Sequence, residues 1–129
     1  MQIKFYFFED MSLGSPILIP SCNIKDSDIN IVNCLSGILM DDGGCSKETT
    51  LLSLKDGVDK LINSQNKINT WVRESWMAES NNDIVKISFL YDEEYFVNIN
   101  YDAFKSILLT WVDFYSSTPS LDNIIYLEY

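Results

Sequence analysis

The chain contains no histidine, and its 9 Lys and Arg stand against 19 Asp and Glu, for a formal net charge of −10 at pH 7. Without histidine, the usual general base of Ser-His-Asp and Cys-His sites is missing, and so is the commonest metal-binding side chain. The shortage of cations argues against direct binding to nucleic acid or to anionic membranes, since both present phosphate that a strongly acidic surface repels. Glycine is sparse as well. The Gly43-Gly44 pair is not followed by the Lys-Ser/Thr of a phosphate loop, and no GxGxxG pattern occurs, so no nucleotide cofactor is expected. Cys22, Cys34 and Cys45 form an odd, widely spaced set that matches neither a disulfide framework nor a zinc-binding CxxC pattern, so reduced thiols are expected.

Long apolar runs are also missing; none approaches the roughly 18–20 residues needed to span a bilayer. The opening residues, Met1-Gln2-Ile3-Lys4-Phe5-Tyr6-Phe7-Phe8, turn acidic at Glu9 and Asp10 and lack the apolar core and small-residue cleavage site of a signal peptide. A cytoplasmic location is the expectation.

What the chain does contain is core material. Hydrophobic residues make up 47% and aromatics 13% of 129 residues, so the high charge does not imply disorder. A single acidic α+β domain over residues 1–129 is expected; a chain of this size buries roughly two-thirds of its unfolded surface. Residues 2–9, dense in Ile, Phe and Tyr, read as a strand. Residues 17–19 lie between Pro16 and Pro20 and suit a short edge strand. From Ser27 or Asp28 as N-cap, Ile29, Val32, Leu35 and Leu39 recur at near-helical spacing until Asp41-Asp42-Gly43-Gly44, although the β-branched residues keep a strand reading open. Residues 49–52 suggest a brief strand. Ser53 with Asp56 then resembles a capping box that starts a helix to about Ser64, with Leu54, Val58, Leu61 and Ile62 on one face and Gly57 weakening it.

The clearest β signal runs over residues 70–101, as a three-strand antiparallel meander of 71–79, 84–91 and 95–101. Asn81-Asn82 and Asp92-Glu93-Glu94 are its turns, and Val85, Ile87 and Phe89 alternate with Lys86 and Ser88. Asp102 is a candidate cap for a helix whose Phe104, Ile107, Leu108, Trp111, Val112 and Tyr115 form a wide apolar stripe ending before Pro119. Residues 123–129 read as a last strand. The whole predicts a two-layer fold: an antiparallel sheet with a central meander, packed by two or three helices. The strand segments 17–19 and 126–129 could support self-association if they lie at sheet edges, so the oligomeric state is open.

Paired carboxylates can do acid/base work or bind hard cations, but Asp41-Asp42, Asp92-Glu93-Glu94 and Glu74 with Glu79 follow no diagnostic spacing; Asp41-Asp42 does not begin a calcium loop. No catalytic residue, metal or cofactor is therefore expected. Trp111 belongs to the helical stripe. Trp71 and Trp76 have opposite parity on one regular strand, which, unless a bulge intervenes, puts at most one in the core and makes the other a candidate for exposure. An interstrand ion pair with Glu74 accounts for Arg73. Acidic clusters and an exposed tryptophan together suit capture of a basic protein, because complementary charge speeds encounter and buried aromatic anchors prolong residence. The candidate partner contacts are Asp41, Asp42, Asp92, Glu93, Glu94 and either Trp71 or Trp76.

In size, in acidity and in an arrangement where Ile84-Val85-Lys86-Ile87-Ser88-Phe89 and Tyr95-Phe96-Val97-Asn98-Ile99 precede the 104–115 helix, the chain resembles the small acidic immunity proteins of bacterial contact-dependent growth inhibition and related polymorphic-toxin systems. That resemblance implies a cytoplasmic antitoxin, not an enzyme, which binds a cognate toxin domain, often a basic nuclease. Two further readings belong to other classes. One is a small-ligand-binding domain or unfamiliar enzyme with a helix/sheet cleft lined by Tyr91, Tyr95 and Trp71; the other is a nucleic-acid mimic or oligomeric adaptor that binds several basic proteins or itself.

Overall fold

In a computed structural model, described for all of residues 1–129 except Leu13, Gln65 and Asn82, the chain forms two antiparallel sheets and three helices in an α+β arrangement. Strand β1 (Gln2–Asp10) alternates as its sequence demands, with Ile3, Phe5 and Phe7 buried. It is the middle strand of a three-stranded sheet, flanked by β2 (Ile17–Lys25) and β7 (Ile124–Glu128). The segment expected to stop at Ile19 continues through Pro20, which pairs opposite Phe7. An edge strand has one side without a ladder, where a missing N–H costs nothing.

The second sheet is a four-stranded meander of β3 (Asn69–Val72), β4 (Trp76–Ser80), β5 (Ile84–Phe89) and β6 (Asp92–Asn100). The strands thus make two sheets rather than the one anticipated. The expected strand 71–79 is broken in two at Arg73-Glu74-Ser75, where the Arg73 amide donates to the Trp76 carbonyl at 2.8 Å. A tertiary contact explains the break: the Ser75 amide donates to the Asp41 carboxylate at 2.7 Å, which pins the turn to a distant helix end. Asp92-Glu93-Glu94 is not a turn either. The chain reverses at Leu90-Tyr91, and β6 already begins at Asp92, with a register irregularity at Ser88/Phe89 that accommodates the tighter connection. Of the Asn81-Asn82 turn, Asn82 lies outside the described residues, while the Asn81 side chain accepts from the amides of Asp83 and Ile84.

Helix α1 (Ile29–Met40) is capped by Asp28, whose carboxylate accepts from the Asn30 amide at 2.9 Å. Helix α2 (Lys47–Leu61) starts earlier than expected, because Ser46 caps it and accepts from the Thr49 amide. The supposed strand at 49–52 is therefore helical, and Ser53 is interior. Thr50, Leu54, Gly57 and Leu61 form the buried face of α2. Helix α3 (Tyr101–Ser116) is capped not by Asp102 but by Asn100, whose side chain accepts from the Ala103 amide at 3.0 Å. The stripe of α3 buries Phe104, Ile107, Leu108, Trp111 and Phe114, with Val112 and Tyr115 half-buried. Helix α1 packs on β2 and on β4, β5 and β6. Helix α3 contacts β5 and β6, and on the other sheet its Trp111 ring packs tilted against Phe5 at 4.9 Å while its Phe114 ring stacks on Phe7 at 4.7 Å. Both sheets and the helices therefore share one apolar core. No helix among the described residues is long and apolar enough to cross a membrane.

Candidate functional site

On the inward face of the meander, Trp71, Ala78, Ile87 and Val97 are neighbours across successive strands. All four are buried. One pleat further along, the same face presents Trp76 opposite Phe89, and here the row runs out beyond the core cover. The Trp76 and Phe89 rings lie 5.1 Å apart, Tyr95 completes the group at 6.3 Å from Trp76, and Tyr91 packs edge-on against Phe89 at 5.4 Å.

Helix α1 forms the opposite wall. Its sequence is small here, Ser36-Gly37, and the indole of Trp76 lies so close to the helix backbone that a Cβ at position 37 would clash with the ring. Between wall and sheet runs an open groove. One part, about 560 Å³, is lined by Asn33, Ser36, Trp76, Phe89, Asp92 and Tyr95. On the far side of Trp76 a second part of about 360 Å³ is lined by Ser36, Gly37, Met40, Asp41, Ser75 and Trp76. Ser36 and Trp76 line both, and the Trp76 indole, packed on α1 at Gly37, stands between the two parts. The Asn33 amide nitrogen donates to the Tyr95 hydroxyl at 3.0 Å and fixes that ring across the opening. None of the lining residues is a lysine or arginine.

The candidate contacts predicted from sequence distribute unequally around this groove. Trp76 is half-buried at its centre. Asp92 lines one end, its Oδ1 accepting from the Glu94 amide at 3.2 Å, and the exposed Glu93 and Glu94 follow it on β6. Asp41 lines the other end as the C-cap of α1, and the exposed Asp42 beside it accepts from the Gly44 amide at 2.9 Å. Trp71 is elsewhere: it is 0% exposed, sealed beneath α2 against Gly57. The parity argument does not apply to the two tryptophans because they occupy different strands, and both face inward. Only Trp76 reaches the surface. Phe89, Asn33 and Ser36 were not anticipated as site residues. The signal for Phe89 was the continuation of an alternating row past the last core position, and for Asn33 and Ser36 it was their polarity within a largely apolar helix.

Arg73 does not form the ion pair expected with Glu74. It is buried, and its Nη1 donates to the carbonyls of Ile38 and Leu39 at 2.7 and 3.1 Å, while Trp111 Nε1 donates to the Leu39 carbonyl at 3.0 Å. These are the carbonyls that the end of a helix leaves without partners. Burial lowers the Arg73 pKa below its ordinary value, partly offset by the nearby Asp41. With its guanidinium 5.1 Å over the Trp71 ring, Arg73 ties the end of α1 to the β3–β4 turn and so fixes the Asp41–Ser75 rim of the groove. Among the described residues, no three Cys, Asp or Glu side chains converge as metal ligands would. Cys22 and Cys34 are buried and Cys45 is exposed, all as free thiols.

The chain matches no protein-family model, no curated protein and no solved structure.

Proposed function

We propose that this chain is a binding protein that captures and neutralises a basic protein partner, as an immunity protein does a toxin domain, and that the Trp76 groove is its contact surface. The observation that carries this reading is the pairing of an aromatic centre, Trp76, Phe89, Tyr95 and Tyr91, with carboxylates at both ends, on a chain of net charge −10. Aromatic side chains on a rigid wall provide residence, and like-signed clusters on either side steer an oppositely charged partner into register. A nuclease domain, cationic because it handles phosphate, has the complementary surface.

The test is capture of partners from lysate of the source cell at low and moderate salt, followed by reconstitution with the identified protein. One stoichiometric basic partner should bind and lose its activity in the complex. Charge reversal at Asp92, Glu93 and Glu94 should slow association by at least roughly tenfold at low salt, and the difference should shrink as salt is raised. Equal association rates would remove that cluster from the contact.

A second reading rests on the groove's size. At about 560 Å³ its larger part falls within the volume range of small-molecule sites. A small aromatic or cationic ligand that raises the melting temperature, and does so only while Trp76 is present, would favour this reading; a partner protein that competes for the same surface would favour the first.

A further inference from the structure

The charged side chains that line the Trp76 groove are all carboxylates. One N–H of the Asn33 amide is used in the bond to the Tyr95 hydroxyl, which leaves its carbonyl oxygen as an acceptor and its second N–H as a donor. Asp92 uses Oδ1 to accept from the Glu94 amide and has Oδ2 left. At the other end Asp41 holds the Ser75 amide with Oδ2 and has Oδ1 left. The charged capacity that remains is acceptor only, from the Asp92 and Asp41 carboxylates, while the neutral Asn33, Ser36, Tyr95 and Trp76 can also donate. Between these acceptors lie flat ring surfaces, with Trp76 tilted 56° to Phe89 and 60° to Tyr95, so the rings present angled faces and not one continuous plane.

A complementary group carries positive charge, donates hydrogen bonds to the carboxylates and tolerates burial of its flat faces. Guanidinium meets all these demands: it has five N–H donors and no acceptor, stays charged, stacks on aromatic faces and is less strongly hydrated than an ammonium. An indole face is the best of the aromatic cation seats. We infer that the groove is an arginine seat, in which a partner's guanidinium lies against Trp76 and Tyr95 with its donors directed to Asp92 and Asn33. The part lined by Asn33, Asp92 and Tyr95, at about 560 Å³, is larger than one side chain, so the residues flanking that arginine pack beside it. This inference rests on the binding role proposed above and specifies its chemistry. A lysine would fit less well, because its compact ammonium cannot stack and holds its water more tightly.

The experiment uses the full chain and three blocked tripeptides: glycine-arginine-glycine, its lysine counterpart and its citrulline counterpart. Citrulline keeps the shape and loses the charge. Titrations at about 0.15 M salt, where the Debye length is about 8 Å, suppress the general attraction of a −10 protein for any cation. The readout is the indole N–H resonance of Trp76, assigned by its absence in Trp76→Phe, with the buried Trp71 and Trp111 as internal references. The arginine peptide should shift the Trp76 signal saturably and leave the other two in place. The citrulline peptide should bind roughly five- to thirty-fold more weakly, the range that a cation against an aromatic face contributes. Asp92→Asn should weaken the arginine peptide and leave the citrulline peptide unchanged.

Equal shifts from arginine and citrulline, or an unmoved Trp76 with arginine, would overturn the seat. Capture of the whole partner separates the two failures. If partner binding still depends on Trp76 while the arginine peptide does not bind there, the groove is a contact surface with an apolar occupant; if partner binding ignores Trp76 as well, the groove reading itself falls.

Discussion

Gly57 carries two opposing demands. In a helix interior glycine costs about 1 kcal/mol relative to alanine, yet a Cβ at this position would lie 2.6 Å from Trp71 Cε2. The indole is fully buried and has no room to yield. Gly57→Ala should therefore lower the stability of the fold, by about 1–3 kcal/mol in denaturant unfolding, despite the gain in helix propensity. Arg73→Met should also destabilise, by about 1.5–3 kcal/mol, because it leaves the Ile38 carbonyl buried without its donor while Leu39 retains Trp111. The thiols differ in the same local way. Burial pushes Cys22 up to about 12 and Cys34 up to about 11 from an ordinary value near 9.0. Since the folded chain holds these protons more tightly than the unfolded one, their contribution to stability is intact below pH 9 and is lost as pH rises through about 11 and 12. Alkylation of the native protein near pH 8 should modify Cys45 alone, and denaturation should release the other two, as intact mass will report.

At the scale of elements, the caps decide where the chain changes direction. Asn100 ends β6 and starts α3 in one step, so Asn100→Ala should cost about 1 kcal/mol in thermal or denaturant unfolding, whereas Asp102→Ala should cost a few tenths at most. The sequence showed the helical stripe of α3 and the alternation of β5 plainly, because each period repeats enough times to identify itself. It misplaced the start of α2, since Thr49-Thr50-Leu51-Leu52 has the composition of a strand and only the Ser46 cap upstream commits it to helix. It also ran β3 and β4 together. Nothing local in Arg73-Glu74-Ser75 ends a strand; the turn is imposed by Asp41 and by the carbonyls of α1, which lie more than thirty residues away in the chain. For the same reason the expectation that Trp71 and Trp76 lie on opposite faces of one strand fails: they sit on separate strands, both face inward, and differ only in how fully they are covered. Trp76, Asp92 and Asp41 were legible as candidates one by one. Their convergence on α1 was not, because it depends on the break between β3 and β4 and on the absence of a side chain at Gly37.

At the scale of the molecule, charge and shape act over different distances. The net charge of −10 reaches a partner across roughly a Debye length and sets how often it arrives, which salt reduces. The groove acts only at contact and sets how long the partner stays. Acidic-cluster variants should therefore change mainly the association rate, and Trp76 variants mainly the dissociation rate. The decisive measurement is the affinity of the captured basic partner for the wild type and for Trp76→Ala, with unfolding of the variant checked in parallel. A folded Trp76→Ala that binds at least about thirty-fold more weakly, as loss of a central aromatic anchor does, is the result predicted; a folded variant that binds as tightly as the wild type would contradict the groove as the site of capture.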